Sequence, residues 1–140
     1  MFIFLIAIIV LALLFDYING FHDAANSIAT IVSTKVLTPF QAVMWAAAFN
    51  FIAFFIFREH KVAGTIANIM SENIINFKTI IAATIAAISW DILTWYYGIP
   101  SSSSHTLIGG LASAALAAGG LAGVNTHPIF IAGIFMVLSP

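Results

Sequence analysis

Gly98-Ile99-Pro100-Ser101-Ser102-Ser103-Ser104-His105-Thr106 interrupts an otherwise oily chain, and Asn19-Gly20-Phe21-His22-Asp23-Ala24-Ala25-Asn26-Ser27 does so near its start. Each run sits where a membrane helix is expected, and each mixes helix-disturbing residues with hydroxyl, amide, carboxylate or imidazole groups. Irregular polar backbone at membrane depth is tolerated only where protein or a watery cavity surrounds it. Carriers that hold a solute at the bilayer midplane on broken helices have this pattern. The two runs predict an all-α polytopic membrane protein with broken or re-entrant helices, working as a transporter.

Composition agrees. Of 140 residues, 62% are hydrophobic and 6% charged, and the mean hydropathy is +1.10. A soluble domain carries about 25% charged residues, so this chain cannot clothe a water-facing surface. A net charge of −1 provides no basic stripe for a nucleic acid. The absence of cysteine excludes disulfides, thiol catalysis and zinc–thiolate sites. Met1 to Phe15 has no Lys or Arg before its apolar run and no small-x-small cleavage site, so it reads as a retained helix rather than a signal peptide. Pro128 is expected to open a helix, but too few residues follow before Pro140 for the ~20 that a span needs. Residues 1–140 therefore read as the N-terminal part of a longer membrane domain.

Along the chain, a first helix through Phe15 meets a break at Asp16, Asn19 and Gly20, and a second helical stretch runs from about Asp23 to Thr34. Lys35 to Thr38 form a loop in which Thr38 caps, and Pro39 opens, the next helix. Phe40 to Phe57 is a span ended by Arg58-Glu59-His60-Lys61. Over Val62 to Lys78, Thr65, Asn68, Glu72 and Asn76 share one helical face, and Val62, Ile66, Ile69 and Met70 another, which predicts an interfacial or hairpin helix. Thr79 to Tyr97 is the next span, with Trp95, Tyr96 and Tyr97 placed as an interfacial aromatic belt. After the Pro100 break, a helix of small residues runs from His105 to about Val124. Gly109, Ser113 and Ala117, then Gly110, Ala114 and Ala118, form stripes that favour close helix packing, and Gly119 and Gly123 make a GxxxG. Lys35 on one side of a span against Arg58 and Lys61 on the other is too small a bias to set the orientation.

If the helix continues through the break, at 100° per residue Asp16, Asn19, Asp23, Asn26 and Thr30 fall within an arc of about 80°. A carboxylate inside a membrane normally faces a partner, a cavity or a cation. Asp23 and Asn26, one turn apart, offer a charged and a neutral oxygen to a small hard ion such as Na⁺. Asp16 is equally consistent with a place at the water interface. In the second run Pro100 stops the incoming helix, and Ser104 or a neighbour caps the outgoing one. Hydroxyls and free N–H groups at a helix start suit an oxyanion. Neither run holds Arg or Lys, so an anion there would rely on neutral donors and co-bound cations. His105 reads as a proton carrier, a donor to the anion or a helix-start residue, and His22 beside Asp23 as a proton group or a packing residue. His60 and His127 fall in expected loops and read as solvated. Asp91, with Thr94 one turn on, reads as a proton relay or as the partner of a helix outside these residues.

The run from Asn19 to Thr30 resembles the first signature of the inorganic phosphate transporter (PiT) family, commonly written G-A-N-D-V-A-N-S, matching at Gly20, Asp23, Ala25, Asn26 and Ser27 and departing at Phe21 and His22. Gly98 to Gly109 resembles the second signature of the family's bacterial low-affinity branch. Both occur in the family's order, and the resemblance covers essentially the whole chain. It implies a secondary transporter of two inverted halves, each giving one copy of these motifs to a central phosphate and cation site, in the cell (inner or plasma) membrane. Carried over, Asn26, Ser27, Ser102, Ser103, Ser104 and Thr106 bind phosphate. Asp23 and Asn26 would serve the coupling cation, as Na⁺ ligands if the ion is Na⁺. His22 and His105 stand beside them as candidates for a coupling proton by the chemistry of imidazole. Asp91 stands where the bacterial branch is expected to carry Asn, so no role is carried over to it.

The resulting expectation is symport of inorganic phosphate with H⁺ or Na⁺, and His22 in place of Asn favours H⁺. The protein is expected to be no enzyme and to need no cofactor beyond the coupling ion. Its partners are phosphate (free or as a metal–phosphate complex), lipid, the complementary C-terminal half and a second copy in a homodimer. Rival readings are a sulfate or other oxyanion permease of the same fold, a non-transporting scaffold or receptor subunit, and an intramembrane serine hydrolase using His105 with Asp23 or Asp91. The hydrolase lacks a G-x-S-x-G elbow, and a His adjacent to its serine is poorly placed as its base.

Overall fold

The computed structural model describes residues 2–56 and 61–138. Six helices follow one another: α1 (Phe2–Ser33), α2 (Pro39–Ile56), α3 (Lys61–Ala67), α4 (Phe77–Tyr96), α5 (Ser103–Gly119) and α6 (Thr126–Leu138), with single 3-10 turns at Glu72–Ile74 and Gly120–Gly123. Among the described residues, α1, α2, α4 and the stretch Ser103–Gly123 are each long and apolar enough to cross a membrane. The chain is an all-α polytopic membrane protein. Its large apolar side chains point outward, with Phe51, Phe54 and Phe55 of α2 more than half exposed, as a lipid-facing surface requires.

The first polar run does not break the helix. α1 continues for 32 residues through Asn19 and Gly20, so the expected split before Asp23 is corrected to one unbroken element. A helical glycine costs only about 1 kcal/mol, whereas each backbone group unpaired in hydrocarbon costs several kcal/mol. With no proline in the run, the helix persists. At 1.5 Å per residue it is about 48 Å long, so its polar stretch lies near mid-length.

The second run does break the chain. Gly98 takes the left-handed conformation (φ 65°); its N–H donates to the Trp95 carbonyl (3.0 Å) and that of Ile99 to the Thr94 carbonyl (2.8 Å). These two bonds are the Schellman closure of α4. Pro100 then prevents resumption, and α5 starts only at Ser103, with Ser102 as its extended N-cap residue. Elsewhere the caps follow the sequence. Thr38 and Gln41 bond reciprocally ahead of α2, and Asn76 and Thr79 make a capping box on α4.

The expected helix over Val62 to Lys78 is also corrected. α3 ends at Ala67, and the segment beyond it is tied to the far end of α5. Met70 pairs with Val124 in an isolated bridge, Ser71 N–H donates to the Gly123 carbonyl (3.0 Å), and Asn125 N–H donates to the Ile69 carbonyl (2.8 Å). Tertiary pairing thus outweighs the helical periodicity of this stretch. Likewise α5 stops at Gly119, short of Val124, because Gly120 adopts φ 62°. Gly119 and Gly123 therefore do not form a helix-packing GxxxG; a Cβ at either would press on Ile74, and one at Gly123 also on the Ala115 carbonyl. His127 lies in the first turn of α6 rather than in a loop, and is exposed as expected. The expected end of the second span at Arg58 and Glu59, and the solvated His60, lie outside the described residues.

Two packings position the site. α1 and α4 run parallel and level: Phe4 stacks on Phe77 at 6.1 Å, Phe21 meets Trp95 at 5.2 Å, and His22 faces Thr94 at an offset of 72 positions. α5 returns antiparallel to α4 with the closest approach at Gly110, where a Cβ would stand 2.6 Å from the Ala83 carbonyl oxygen and 3.3 Å from the Ala87 Cβ. The Gly110 stripe is thus a packing face, whereas Gly109 has nothing within 4 Å. Gly110→Val is expected to destabilise the protein by about 1–3 kcal/mol through overpacking. Thermal unfolding in detergent checks this against Gly109→Ala, which should leave the transition unchanged or slightly raised.

Candidate functional site

The parallel α1–α4 pair and the returning α5 bring the two polar runs to one level. Ser103, buried in the first turn of α5, donates its Oγ–H to Asp23 Oδ2 at 2.8 Å, across 80 positions of sequence. On the other side of α1, His22 is buried with Nε2 3.4 Å from Thr94 Oγ1, and its Nδ1 is 3.7 Å from Asp23 Oδ1. Phe21 and Trp95 cover the same level with their rings. One turn of α1 therefore sends His22 toward α4 and Asp23 toward α5.

Asp23 is only half buried, and it opens onto a cleft of about 570 Å³ between α1 and α2. The polar groups lining that cleft are Asn19, Asp23, Ser27 and Asn50. Asn50 was not a candidate from the sequence, because a single amide in the apolar α2 carries no local pattern. Its signal would have been the cost of an unpaired amide in a span. Ser27 lines the cleft while its hydroxyl donates to the Ala24 carbonyl (3.1 Å), so it offers an oxygen rather than a free proton. Asn26, one position back, is exposed and does not line this cleft.

The Ser run splits by side. Ser103 and Thr106 are buried; Ser102 and Ser104 are exposed. Thr106 donates to the Ser102 carbonyl (3.1 Å) and lies 3.3 Å from Ser101 Oγ. Ser102 makes no side-chain cap bond, which leaves its hydroxyl unspent beside the first-turn N–H groups of α5. Such groups have no intrahelical acceptor and carry the positive end of the helix dipole. Ser104 and His105 instead line a separate cavity of about 650 Å³ formed with α3 and α6. His105 also borders a smaller one with Thr106 and Ser113. The structure joins Asp23 to Ser103 and His22 to Thr94, and places His105 on other cavities. The hydrolase arrangement is not formed: Ser103 donates directly to a carboxylate, with no imidazole between them.

Chemically, the α1–α2 cleft offers the Asp23 carboxylate, the Asn19 and Asn50 amides and the Ser27 hydroxyl. The N-terminus of α5 reaches Asp23 through Ser103, and neither run holds Arg or Lys. Fold and span lengths define a multi-pass membrane protein.

Residues 19–140 match the phosphate transporter family profile (PHO4). The chain belongs to the phosphate transporter family. It is 50% identical over 136 residues to a probable low-affinity inorganic phosphate transporter of Rhizobium meliloti (strain 1021), covering 97% of this chain and 41% of the relative. It is 45% identical over 142 residues to the protein of that description in Bacillus subtilis (strain 168), covering 96% and 41%. With the low-affinity inorganic phosphate transporter PitA of Escherichia coli (strain K12) it shares 37% identity over 106 residues, 71% of this chain and 21% of the relative. The chain thus spans about two-fifths of the length of the first two relatives. No solved structure matches it. Family and spans together make it a multi-pass protein of the cell membrane.

Proposed function

We propose that this chain is the N-terminal half of a secondary transporter that carries inorganic phosphate across the cell membrane together with H⁺ or Na⁺. The observation that carries the reading is the 2.8 Å bond from Ser103 to Asp23, which unites the two signature runs at one level beside an open cleft. Phosphate sits with its oxygens toward the Ser102 hydroxyl and the first-turn N–H groups of α5. Ser103, whose proton goes to Asp23, orients that carboxylate, and Thr106 is tied to the same turn through the Ser102 carbonyl. The cation occupies the Asp23 side of the cleft, where its charge offsets repulsion between carboxylate and anion. Rocking of this half against an inverted second half exposes the site to either side in turn.

The position of Asp23 also favours phosphate over sulfate. Near neutral pH phosphate still carries protons that it can donate, whereas sulfate has none. A carboxylate lining the cleft therefore accepts a hydrogen bond from phosphate and repels sulfate. Proteoliposomes holding the full-length protein are expected to accumulate radiolabelled phosphate under an imposed inward Na⁺ or pH gradient, with sulfate at the same concentration competing weakly. Equal competition by sulfate would transfer the assignment to a general oxyanion permease. Correctly inserted protein that accumulates neither anion would remove transport from this site altogether.

A further inference from the structure

The contacts of the His22 ring fix where its hydrogen sits. The ring is buried on α1, with Nε2 3.4 Å from Thr94 Oγ1 on α4. Thr94 is itself buried and has one hydroxyl proton to give. Two carbonyls of its own helix lie nearer than the ring, that of Trp90 at 2.9 Å and that of Asp91 at 3.1 Å. A threonine that spends its proton on the preceding turn offers the ring only lone pairs. Nε2 therefore carries the hydrogen and donates it to Thr94.

The other ring nitrogen is bare. Nδ1 is buried and meets no hydrogen-bond partner, since Asp23 Oδ1 stands 3.7 Å away, beyond hydrogen-bonding reach. Moving the hydrogen to Nδ1 would give up the bond to Thr94 and gain none. A hydrogen on both nitrogens would keep that bond but bury an N–H without an acceptor, a state native proteins rarely hold. The neutral ring with its hydrogen on Nε2 is the form these distances suit.

We propose that Thr94 and His22 are positioning residues for Asp23: Thr94 holds the imidazole in the tautomer whose Nδ1 is a lone pair, and that lone pair withholds a hydrogen bond from Asp23 Oδ1. Ser103 already occupies Oδ2 at 2.8 Å. Oδ1 is thereby the oxygen left without a protein donor, on a carboxylate half exposed to the α1–α2 cleft. Two acceptors at short range also repel, so the bare Nδ1 discourages the carboxylate from turning toward α4 and keeps it aimed at α5 and the cleft. Groups behind a ligand that fix a histidine tautomer or a carboxylate orientation commonly change affinity by about tenfold or more. α4 lines none of the cleft, yet through this pair it sets how freely Asp23 can bind. The role rests on Asp23 being the working carboxylate of a phosphate carrier.

The test has a spectroscopic and a transport arm, both on the full-length protein. Ring-nitrogen NMR of histidine-labelled protein, with the His22 signals identified by their loss in His22→Phe, should show a neutral ring protonated on Nε2. In Thr94→Val, which keeps the shape and removes the acceptor, the hydrogen should move to Nδ1. In proteoliposomes the same variant should raise the apparent Km for phosphate about tenfold, with little change in Vmax or melting temperature. Thr94→Ser, which keeps the hydroxyl, should restore the wild-type value. In a His22→Phe background Thr94→Val should add nothing, because coupled residues are not additive. An imidazolium in the wild type, facing Asp23 and Asp91 from one ring, overturns the inference, and so does a Thr94→Val effect that persists without His22. A Thr94→Val protein with unaltered Km also overturns it wherever Asp23→Asn abolishes uptake. Wild-type uptake in Asp23→Asn would instead count against the carrier reading of Asp23.

Discussion

Asp23→Asn in the full-length protein is expected to bring gradient-driven phosphate uptake to background, a fall of about two orders of magnitude or more. The variant should still fold and insert. Asn has the same size, and its Oδ1 can still accept the Ser103 hydroxyl that now stands 2.8 Å from Asp23 Oδ2. What disappears is the negative charge facing the α1–α2 cleft. A cation bound there loses the carboxylate counter-charge on the cleft, and phosphate loses a strong acceptor. Interactions with a charged partner contribute about 1.5–3 kcal/mol each, so losing two accounts for the expected size. Uptake measured beside the melting temperature separates the effects. Wild-type uptake with unaltered cation dependence would take Asp23 out of the mechanism.

Replacing Ser102, Ser103 and Ser104 together with Ala should raise the apparent Km for phosphate by orders of magnitude and shift the melting temperature little. The three serines are not equivalent in the structure, which sharpens the expectation. Ser103 is buried on the Asp23 side and Ser102 has a hydroxyl free of capping duty. Ser104 is exposed and faces the cavity with α3 and α6. Ser103→Ala alone should weaken phosphate by about ten- to a hundredfold, because the charge-assisted bond that orients Asp23 is lost, and Ser104→Ala should do far less. An apparent Km unchanged in the triple variant would make the run structural. An equal share from Ser104 would mean that phosphate lies on the other side of α5.

Much of the architecture was legible in the chain. Composition excluded a soluble domain, and apolar runs of membrane length located α2, α4 and α5 because burial in lipid depends on local hydropathy. Thr38-Pro39, Asn76 and Gly98-Ile99-Pro100 marked helix ends because capping is a local matter of a few bonds. The motif pair likewise pointed to the level of the site. The unbroken course of α1 was misread, since Asn19 and Gly20 disturb a helix in water more than in hydrocarbon, where a broken helix leaves backbone groups bare. The stretch after Ala67 was misread for the opposite reason, as its periodicity was overruled by bonds to residues 122–125 that no local pattern announces.

By itself, then, the sequence determined the class, the spans, the second break and the residue types available to the proposed site, because each rests on hydropathy, caps or motif spacing within a few turns. Which of those residues meet was decided by the tertiary structure. The parallel register of α1 with α4 and the close approach at Gly110 set Ser103 on Asp23, His22 on Thr94 and Asn50 on the cleft, and sealed Asp91 from solvent. Those are contacts between elements dozens of residues apart. They depend on how helix faces interlock, and a linear pattern of polar and apolar residues does not contain that.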